Sequence, residues 1–582
     1  MAATFEKRFR VASAFQTKGF HCSMKMKYFV ALLMAMLLAG CGDGVDDYIV
    51  TNPLNVNVPP TANDDSFVTL GNATMNRTAA NGVLANDVTN GAAITAFDAV
   101  GSNGGTVVMN ADGSFSYTPV FGFTGTETFT YTLTNANGAS TGTVTATINN
   151  LAFFVDNTLA GGGNGSQATP FNNLADGVAA LGTGDTLFVF RGDGTSTNLA
   201  GAFTLPAGAS LIGEAVGLSV NPRIVAQEIL PVGLAPTITG PITLSNGNTV
   251  SGLTIEGSAS EGITSLGFTD ATITNNTFRG NAQDQLNLLG GGGTILVSGN
   301  TFESVPDTIN AIFFGTDSSG TFTFTGNTFT DDAATDPGNA LFVGVAGSSV
   351  ATVNVSNNST TGDAVGTAFN QGLVLSCMES SNVTLSATGN NFSTLDFHGF
   401  NTDTTHSAAT LSSTISGNII DLTGSTGIES NSDGTINLTV AQNTISNIQG
   451  AGVSATADTD GSMMTAIISG NTVLGTVFGI ELECNAPNVS TVKAAVRDNS
   501  VTNSLNFSVV AYGNGTESMC LDITGNTVND SMRFEDNGLG AINVERLEAA
   551  DGGPLTAVNT FSAGTVETVD NVVSQAAGFC GL

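Results

Sequence analysis

The stretch FTFTGNTFTDD, residues Phe322 to Asp332, sets out the repeating unit of this chain. Phenylalanine and threonine alternate up to the pair Gly326-Asn327, and Phe329 follows two residues after the asparagine. Alternation with a period of two is typical of a strand with one buried face, and Gly-Asn is typical of a tight corner. The stretch therefore predicts a strand, a corner and a second strand, with both strands facing one core.

The same corner recurs through the second half of the chain at intervals of 24 to 32 residues. The asparagines at the corner position are Asn276, Asn300, Asn327, Asn358, Asn390, Asn418, Asn443, Asn471, Asn499 and Asn526. The residue three positions before each is apolar, whereas Ser413 breaks the rule five positions before and Thr360 breaks it two positions after. A mean interval of about 28 residues suits one three-stranded coil per repeat, so we predict an all-β chain containing a right-handed parallel β-helix.

Stacked coils bring equivalent residues together, and this gives the asparagines a structural role. Their amides can hydrogen-bond to one another along the axis as a ladder, and asparagine tolerates the left-handed backbone angles of a corner. The alternative, a row of amides that binds a ligand, would require the side chains to point outward.

The N-terminal residues resemble a bacterial lipoprotein signal. Lys25 and Lys27 precede the short apolar run YFVALLMAMLL, which is followed by Leu38-Ala39-Gly40-Cys41, similar to a lipobox. The resemblance implies a signal peptide over 1–40 with Met24 or Met26 as the start. It also implies lipidation at Cys41, a lipidated tether over 41–58, and attachment to the bacterial cell envelope, at the outer membrane since Gly42 follows the cysteine. Whether the chain faces the periplasm or the exterior stays open.

Residues 59–149 form a predicted β-sandwich. Phe129, Tyr131 and Leu133 alternate with threonines, and the words PPTANDDSF, VLAND and DGSFSYTP resemble the cadherin-like, immunoglobulin-like modules of bacterial surface proteins. Such modules often act as spacers or adhesive units. The resemblance implies that Asp64, Asp65 and Asp87 could hold Ca²⁺, the one cofactor suggested here, although aspartates also form turns without metal.

Residues 150–582 are assigned to the β-helix. Phe171, Leu174, Val178 and Leu181 recur at helical spacing and predict a short capping helix over the N-terminal end of the solenoid. This segment resembles the start of pectin-lyase-like bacterial surface proteins.

The resemblance to pectin-lyase-like proteins is also compatible with an enzymatic function, the cleavage of acidic polysaccharides. The weak catalytic candidates are Lys493 and Arg497 on one outward strand face, and His398 and Asp403 within DFHGFNTDTTH. The direct strand neighbours of Lys493 and Arg497 are expected to be uncharged, so no carboxylate cluster is predicted beside them. The alternative for His398 is that it is a surface histidine without a catalytic role.

Four cysteines remain after Cys22 and Cys41. We predict a Cys484–Cys520 disulfide between neighbouring coils, with Cys520–Cys580 as the competing pair, and Cys377 can remain free.

The net charge of the chain limits which molecules it can bind. With a net charge of −34 the chain repels nucleic acid and attracts cations. The sequence therefore predicts an envelope-anchored protein with a structural or adhesive role, attached to the membrane by its lipid, whose partner is a polysaccharide or a surface protein. The competing function is that of a polysaccharide lyase or hydrolase.

Overall fold

The structure, a computed structural model, describes residues 58–220, 227–303, 311–316, 319–330, 338–362, 368–485, 489–514, 518–538, 541–545, 555–561, 566–569 and 572–582. The predicted signal peptide, the tether before Val58 and Cys41 lie outside these residues. Within them, no helix is long and apolar enough to cross a membrane.

The first described residues form a sandwich of two sheets. Its strands are Asp65–Gly71, Met75–Arg77, Ala93–Phe97, Thr106–Met109, Phe115–Thr118, Gly125–Asn135 and Gly138–Val155. Phe129, Tyr131 and Leu133 are buried between the sheets, as their alternation with threonine predicts. The sandwich has its own apolar core, which includes Tyr117 and Val144.

After the sandwich the chain winds into a parallel β-helix with three sheets. Sheet A is formed by the strands that lead up to the asparagine corners. Its strands are the second half of Gly138–Val155, then Thr186–Val189, Ser210–Gly213, Asn248–Ser251, Thr269–Thr274, Gly292–Ser298, Gly320–Thr325, Val350–Ser356, Asn382–Thr388, Thr410–Ser416, Thr435–Ala441, Met463–Ser469, Thr491–Arg497, Ser518–Thr524, Ala541–Glu545 and Val572–Gln575.

Sheet B follows each corner and has short strands. They are Thr237–Ile238, Thr254–Glu256, Thr277–Arg279, Thr301–Glu303, Thr328–Thr330, Ser359–Thr361, Asn391–Leu395, Ile419–Thr423, Thr444–Ser446, Thr472–Leu474, Ser500–Thr502, Thr527–Val528 and Thr560–Phe561.

Sheet C closes each coil. Its strands are Phe203–Thr204, Ile242–Thr243, Ile263–Leu266, Leu286–Leu289, Ala311–Thr316, Leu341–Ala346, Gln371–Cys377, His398–Thr404, Ile428–Ser432, Ala451–Ala457, Phe478–Cys484, Phe507–Gly513, Met532–Asp536 and Val566–Val569. Inward side chains of all three sheets form one continuous apolar core.

Short helices, 3₁₀ turns and an antiparallel strand pair lie outside the three sheets of the β-helix. The helix Leu174–Ala180 begins at Asn173, whose side chain accepts a hydrogen bond from the Asp176 amide, and it buries Leu174 in the solenoid core. The strands Leu218–Val220 and Gln227–Leu230 form an antiparallel pair, and a second helix spans Leu555–Val558. Single 3₁₀ turns occupy Ala79–Asn81 and Glu214–Val216.

One strand joins the sandwich to the solenoid. Residues 144–151 of Gly138–Val155 pair in parallel with Asp65–Gly71, and residues 152–155 pair in parallel with Thr186–Val189 of sheet A. Leu70, Phe154 and Phe188 belong to a small apolar cluster at this junction. The junction is therefore packed and hydrogen-bonded, with no linker between the two parts.

The corner asparagines form a buried ladder. The Nδ2 of Asn443 donates to Asn471 Oδ1 and to the Ile415 carbonyl, both at 2.9 Å, and its Oδ1 accepts from the backbone and side-chain nitrogens of Asn418. The same pattern connects each of the ten asparagines to the next, and Asn559 adds an eleventh member after Asn526. Every amide in the column is paired within the protein, so the asparagines hold coils in register and leave no group free for a ligand.

The left-handed corner residue is not the ladder asparagine, which corrects the expectation from sequence. It is the residue before it: φ is 64° at both Gly326 and Gly417, and 56° at Gln442. Glycine adopts this region without a steric cost, which explains the recurring Gly-Asn pair. The asparagine is needed for its amide, and its backbone angles are ordinary.

The two polar exceptions to the repeat remain inside the core. Thr360 is buried, and its hydroxyl donates to the Ser393 carbonyl at 2.9 Å. Ser413 is buried as well, and its Oγ has no hydrogen-bond partner among the residues that the structure describes.

Candidate functional site

Sheet C carries a row of acidic side chains on its outward surface. Residues at alternate positions of its strands point away from the core, and four of these are Asp403, Glu429, Glu481 and Glu483. We call these four residues the acidic face. Sequence analysis identified only Asp403 among them.

Strand register sets the spacing of the acidic face. Ser454 lies between Glu429 and Glu481 on the intervening strand, and Thr456 lies opposite Glu483. Ser454 and Thr456 are only 8% and 5% exposed although they point outward, because longer side chains stand on either side. We call this strip, in which small hydroxyl residues lie between longer side chains that include Glu429, Glu481 and Glu483, the trough.

Burial and like charge change the acidity of this surface. The pKa of Glu481 is raised to about 7, first by burial and then by the negative charges of Glu483 and Glu429. Burial also raises the pKa of Asp403, although a hydrogen bond of 2.5 Å from the Ser376 hydroxyl opposes the shift. At neutral pH Glu481 is thus poised to exchange a proton beside other carboxylates.

His398 lies at one edge of the trough. Its Nδ1 is 3.1 Å from Glu429 Oε2 and 3.3 Å from the backbone nitrogen of Thr426. Burial lowers the pKa of His398, whereas the carboxylate of Glu429 opposes this shift. The neutral ring can accept from Thr426, and protonation would turn the contact with Glu429 into an ion pair.

Aromatic rings flank the carboxylates on the later coils. Phe478 and Phe507 occupy paired positions of neighbouring strands and are half-buried, and the Arg533 guanidinium lies over the Phe507 ring at 5.5 Å. Tyr512 is the direct strand neighbour of Glu483. Apolar rings beside hydrogen-bonding groups are a common composition of ligand sites.

Two family models match parts of the chain. Residues 57–149 match the model described as a bacterial Ig domain, and residues 241–383 match the one described as a right handed beta helix region. The chain combines a bacterial Ig domain with a right-handed β-helix. The matched segments coincide with the sandwich and with the middle coils of the three-sheet solenoid.

Among solved structures, the chain is similar to the A-module of mannuronan C-5 epimerase AlgE6 from Azotobacter vinelandii. The two are 12% identical, and the match covers 69% of this chain and 92% of that chain with a TM-score of 0.22. At that TM-score the similarity carries no argument about this chain. No curated protein matches it.

Lys493 and Arg497 lie on another face of the β-helix, on a strand of sheet A. Arg497 donates from Nε to Asp522 at 3.0 Å and from Nη2 to the carbonyl of Leu582 at 3.0 Å. Lys493 is exposed, with Thr465 and Cys520 as its strand neighbours. Arg497 therefore fastens the end of the chain, and neither residue is brought to the acidic face.

His406, the other histidine beyond residue 40, is also apart from the trough. Its Nδ1 accepts from the Ala408 backbone at 3.2 Å within an exposed turn. This contact stabilises the turn that leads back to sheet A.

Two of the three aspartates that were predicted to hold Ca²⁺ accept hydrogen bonds from protein groups. Asp64 accepts from the Thr143 amide at 2.8 Å, and Asp87 accepts from the Asn63 amide and from the Tyr131 hydroxyl. Burial and the charge of Asp87 raise the pKa of Asp65 to about 7. Among the described residues, no group of three or more His, Cys, Asp or Glu is arranged to hold a metal ion, so the predicted calcium set finds no support.

The predicted Cys484–Cys520 disulfide is wrong. The bond joins Cys520 to Cys580, whereas Cys484 points into the core at the end of a sheet C strand, with its Sγ 2.8 Å from Ser490 Oγ. Cys520 lies on sheet A, where the C-terminal segment reaches it because the Glu545 carboxylate accepts from the Gly578 and Cys580 amides at 2.7 Å. Cys377 is free and buried.

Replacement of Glu481 by glutamine should change how stability depends on pH. Because the folded-state pKa of about 7 lies above the ordinary value of 4.5, the folded protein loses stability as pH rises between these values. Glu481→Gln removes this dependence, so the variant should melt above the parent protein at pH 8, and the gap should close towards pH 4. Thermal melts followed by circular dichroism from pH 4 to 8 measure the difference.

Glu567→Gln is the matched control for this prediction. Its side chain is 43% exposed on the last strand of the same sheet. An equal pH-dependent gain in both variants would mean that overall net charge, and not burial at Glu481, is responsible.

Proposed function

We propose that this chain is an envelope-anchored protein that binds a neutral or amino-sugar glycan along the acidic face of its β-helix. The observation that carries the proposal is the trough of sheet C, where carboxylates, hydroxyls and phenylalanine rings line one surface across neighbouring coils. Sugars present hydroxyl groups to such side chains and apolar ring faces to aromatic ones. Parallel strands spaced by ~4.8 Å repeat these groups along the solenoid, which suits a ligand that is itself a repeating chain.

The negative charge of the acidic face determines which class of glycan it can bind. Glu429 and Glu483 stand on both sides of the Ser454–Thr456 floor, and the chain carries a net charge of −34. Like charges repel, so a polyuronate is disfavoured on this surface. A neutral glycan escapes that repulsion, and protonated amino groups would be attracted.

A second candidate function is hydrolysis of the bound glycan, which the raised pKa of Glu481 favours. A protonated Glu481 can donate to the leaving glycosidic oxygen while Glu429, two strands away, accepts a proton from the attacking water. Two strand spacings put their backbones about 10 Å apart, compatible with room for a water between acid and base. In this step the water oxygen bonds to the sugar carbon and the glycosidic bond breaks.

Binding can be tested with a substitution that fills the trough. Ser454→Trp places a large ring on the floor between Glu429 and Glu481, and should weaken binding to neutral or amino-sugar polysaccharides at least tenfold by calorimetry. Thr465→Trp, at an outward position of sheet A, is the control and should bind like the parent. Binding to polyuronates alone, or equal losses in both variants, would contradict the proposal.

A measurement of glycan cleavage distinguishes hydrolysis from binding alone. Release of reducing ends that disappears in Glu481→Gln while binding persists would establish hydrolysis. Binding by the parent without any reducing ends would leave the protein as a glycan-binding one.

Anchoring is a separate part of the proposal and depends on Cys41. Expression of the full chain in a bacterium should give a membrane fraction whose N-terminal peptide carries acyl chains by mass spectrometry. Cys41→Ala should give a form that lacks the acyl mass. An unmodified cysteine in the parent would overturn the anchoring.

A further inference from the structure

An open cleft with charged side chains lies along the first strands of sheet B. Its volume is about 500 Å³, and its lining includes Thr239, Glu256, Gly257, Arg279, Gly280 and Glu303. We call it the charged cleft. None of its lining residues belongs to the acidic face, which lies on sheet C.

Strand register places three charges in one row of the charged cleft. Glu256 pairs with Arg279, and Glu303 follows directly after Phe302, the strand partner of Phe278. The two phenylalanines are buried, so the charged residues beside them point outward. The row therefore runs negative, positive, negative on neighbouring strands spaced by ~4.8 Å.

Arg279 bonds only one of its two acidic neighbours. Its Nε donates to Glu256 Oε2, and its side chain remains 46% exposed. Within the part of the chain that the structure describes, Arg279 forms no ion pair with Glu303, and the Glu303 carboxylate accepts no hydrogen bond. The terminal nitrogens of Arg279 and the carboxylate of Glu303 are thus both available at the lining of the cleft.

Opposite charges that line one cleft without being joined suit a ligand that carries both charges. A carboxylate can accept hydrogen bonds from the terminal nitrogens of Arg279, and an ammonium group can donate to Glu303. A ligand with only a negative charge is repelled by Glu256 and Glu303, and one with only a positive charge gains nothing from Arg279. A zwitterion is attracted by both groups at once.

The space beside the row is open enough for such a ligand. A Cβ added at Gly257 or Gly280 would meet no other atom within 4 Å. At ~30 Å³ for each water, the cleft corresponds to about 17 waters, which is more than a small amino acid displaces. Thr239 adds a hydroxyl at the end of the row, because Ile238 before it pairs with Ile255.

We propose that the charged cleft binds a zwitterionic α-amino-acid group, with its carboxylate on Arg279 and its ammonium group on Glu303. This function is separate from glycan binding at the acidic face. The zwitterion belongs to a free amino acid or to the free end of a diaminopimelate residue in a cell-wall peptide, since both carry an ammonium group and a carboxylate on one carbon.

Saturation-transfer NMR on the full chain at pH 7 and low salt tests the proposal. Racemic alanine should show transfer, with an affinity in the millimolar range. N-acetylalanine lacks the ammonium group and alaninamide lacks the carboxylate, so both should show little transfer. Equal transfer from alanine and from either blocked probe would overturn the proposal, because one charge would then be enough for binding.

A tripeptide that ends in diaminopimelate distinguishes the two sources of the zwitterion. Tighter binding than that of alanine would assign the cell-wall peptide, and equal or weaker binding would assign the free amino acid. Absence of transfer from both alanine and the tripeptide would overturn the proposal.

Substitutions test which side chains bind the ligand. Arg279→Gln and Glu303→Gln each remove one of the two charges and should each lower the affinity about fivefold or more. Glu261→Gln is the matched control, because it makes the same charge change as Glu303→Gln outside the lining of the cleft. Its binding should equal that of the parent, and Ser454→Trp should also leave this signal intact, which separates the charged cleft from the acidic face.

Two results with these variants would contradict the assignment of the charged cleft. One is binding that persists unchanged in Glu303→Gln, and the other is an equal loss in Glu261→Gln, which would make overall charge the cause. Thermal melts of each variant establish that it is folded.

Discussion

Asn443→Ala should lower the free energy of unfolding by about 3–5 kcal/mol. The substitution leaves the backbone and side-chain nitrogens of Asn418 without their acceptor and the Ile415 carbonyl without the Asn443 donor. These groups are buried, so water cannot replace the lost amide, and each unpaired group costs about 1–3 kcal/mol. Denaturant unfolding followed by circular dichroism measures the loss, since the chain has no tryptophan.

Asn437→Ala is the matched control for the ladder. Asn437 lies on the strand that leads to Asn443, but its side chain is exposed. This change should stay within about 0.5 kcal/mol of the parent. Similar losses in the two variants would contradict the prediction, because the loss would then not depend on the buried amide of the ladder.

Phe302→Ala should destabilise the β-helix by about 4 kcal/mol. Phe302 is fully buried and lies between Phe278 and Phe329, with ring centroids 4.9 and 5.0 Å apart and the rings nearly parallel. The substitution removes apolar burial, opens a cavity and breaks two stacked contacts at once. The same unfolding measurement tests it.

Two further variants show whether packing is the cause. Phe302→Leu keeps much of the buried volume and should recover over half of the loss. Phe397→Ala removes a ring that is 51% exposed and should have a small effect. If Phe302→Leu were as damaging as Phe302→Ala, the stacking itself, and not the filled volume, would dominate.

The repeat in the sequence predicted much of the solenoid because one physical requirement recurs at every corner. Asparagine supplies the amide that bonds the neighbouring coils at these corners, so Asn327 and its equivalents mark the register of sheets A and B directly. The alternation of apolar residues around them marks which side chains face the core. Asn559 was missed because Thr556 stands three positions before it, where the ten predicted members have an apolar residue, although Asn559 accepts from Asn526 at 2.9 Å.

The asparagine repeat does not align sheet C, and this is why most of the acidic face was missed. Glu429 and Glu481 lie at different distances from the nearest ladder asparagine, because the loops before and after their strands vary in length. A pair of glycine and an apolar residue does recur in sheet C, as in Gly427-Ile428 and Gly479-Ile480. Glu429 and Glu481 both stand two residues after this glycine, so the pair is a signal that could have aligned them. The disulfide prediction was wrong for a related reason, because Cys580 belongs to a C-terminal segment that lacks the asparagine repeat.

The strand Gly138–Val155 has a mechanical consequence. A force applied between Val58 and the β-helix would pull Asp65–Gly71 and residues 144–151 in opposite directions along their common axis. The hydrogen bonds between these parallel strands run across that axis, so they would bear the load together in shear instead of opening one at a time. The Ig domain is therefore built to resist tension between the start of the described chain and its solenoid.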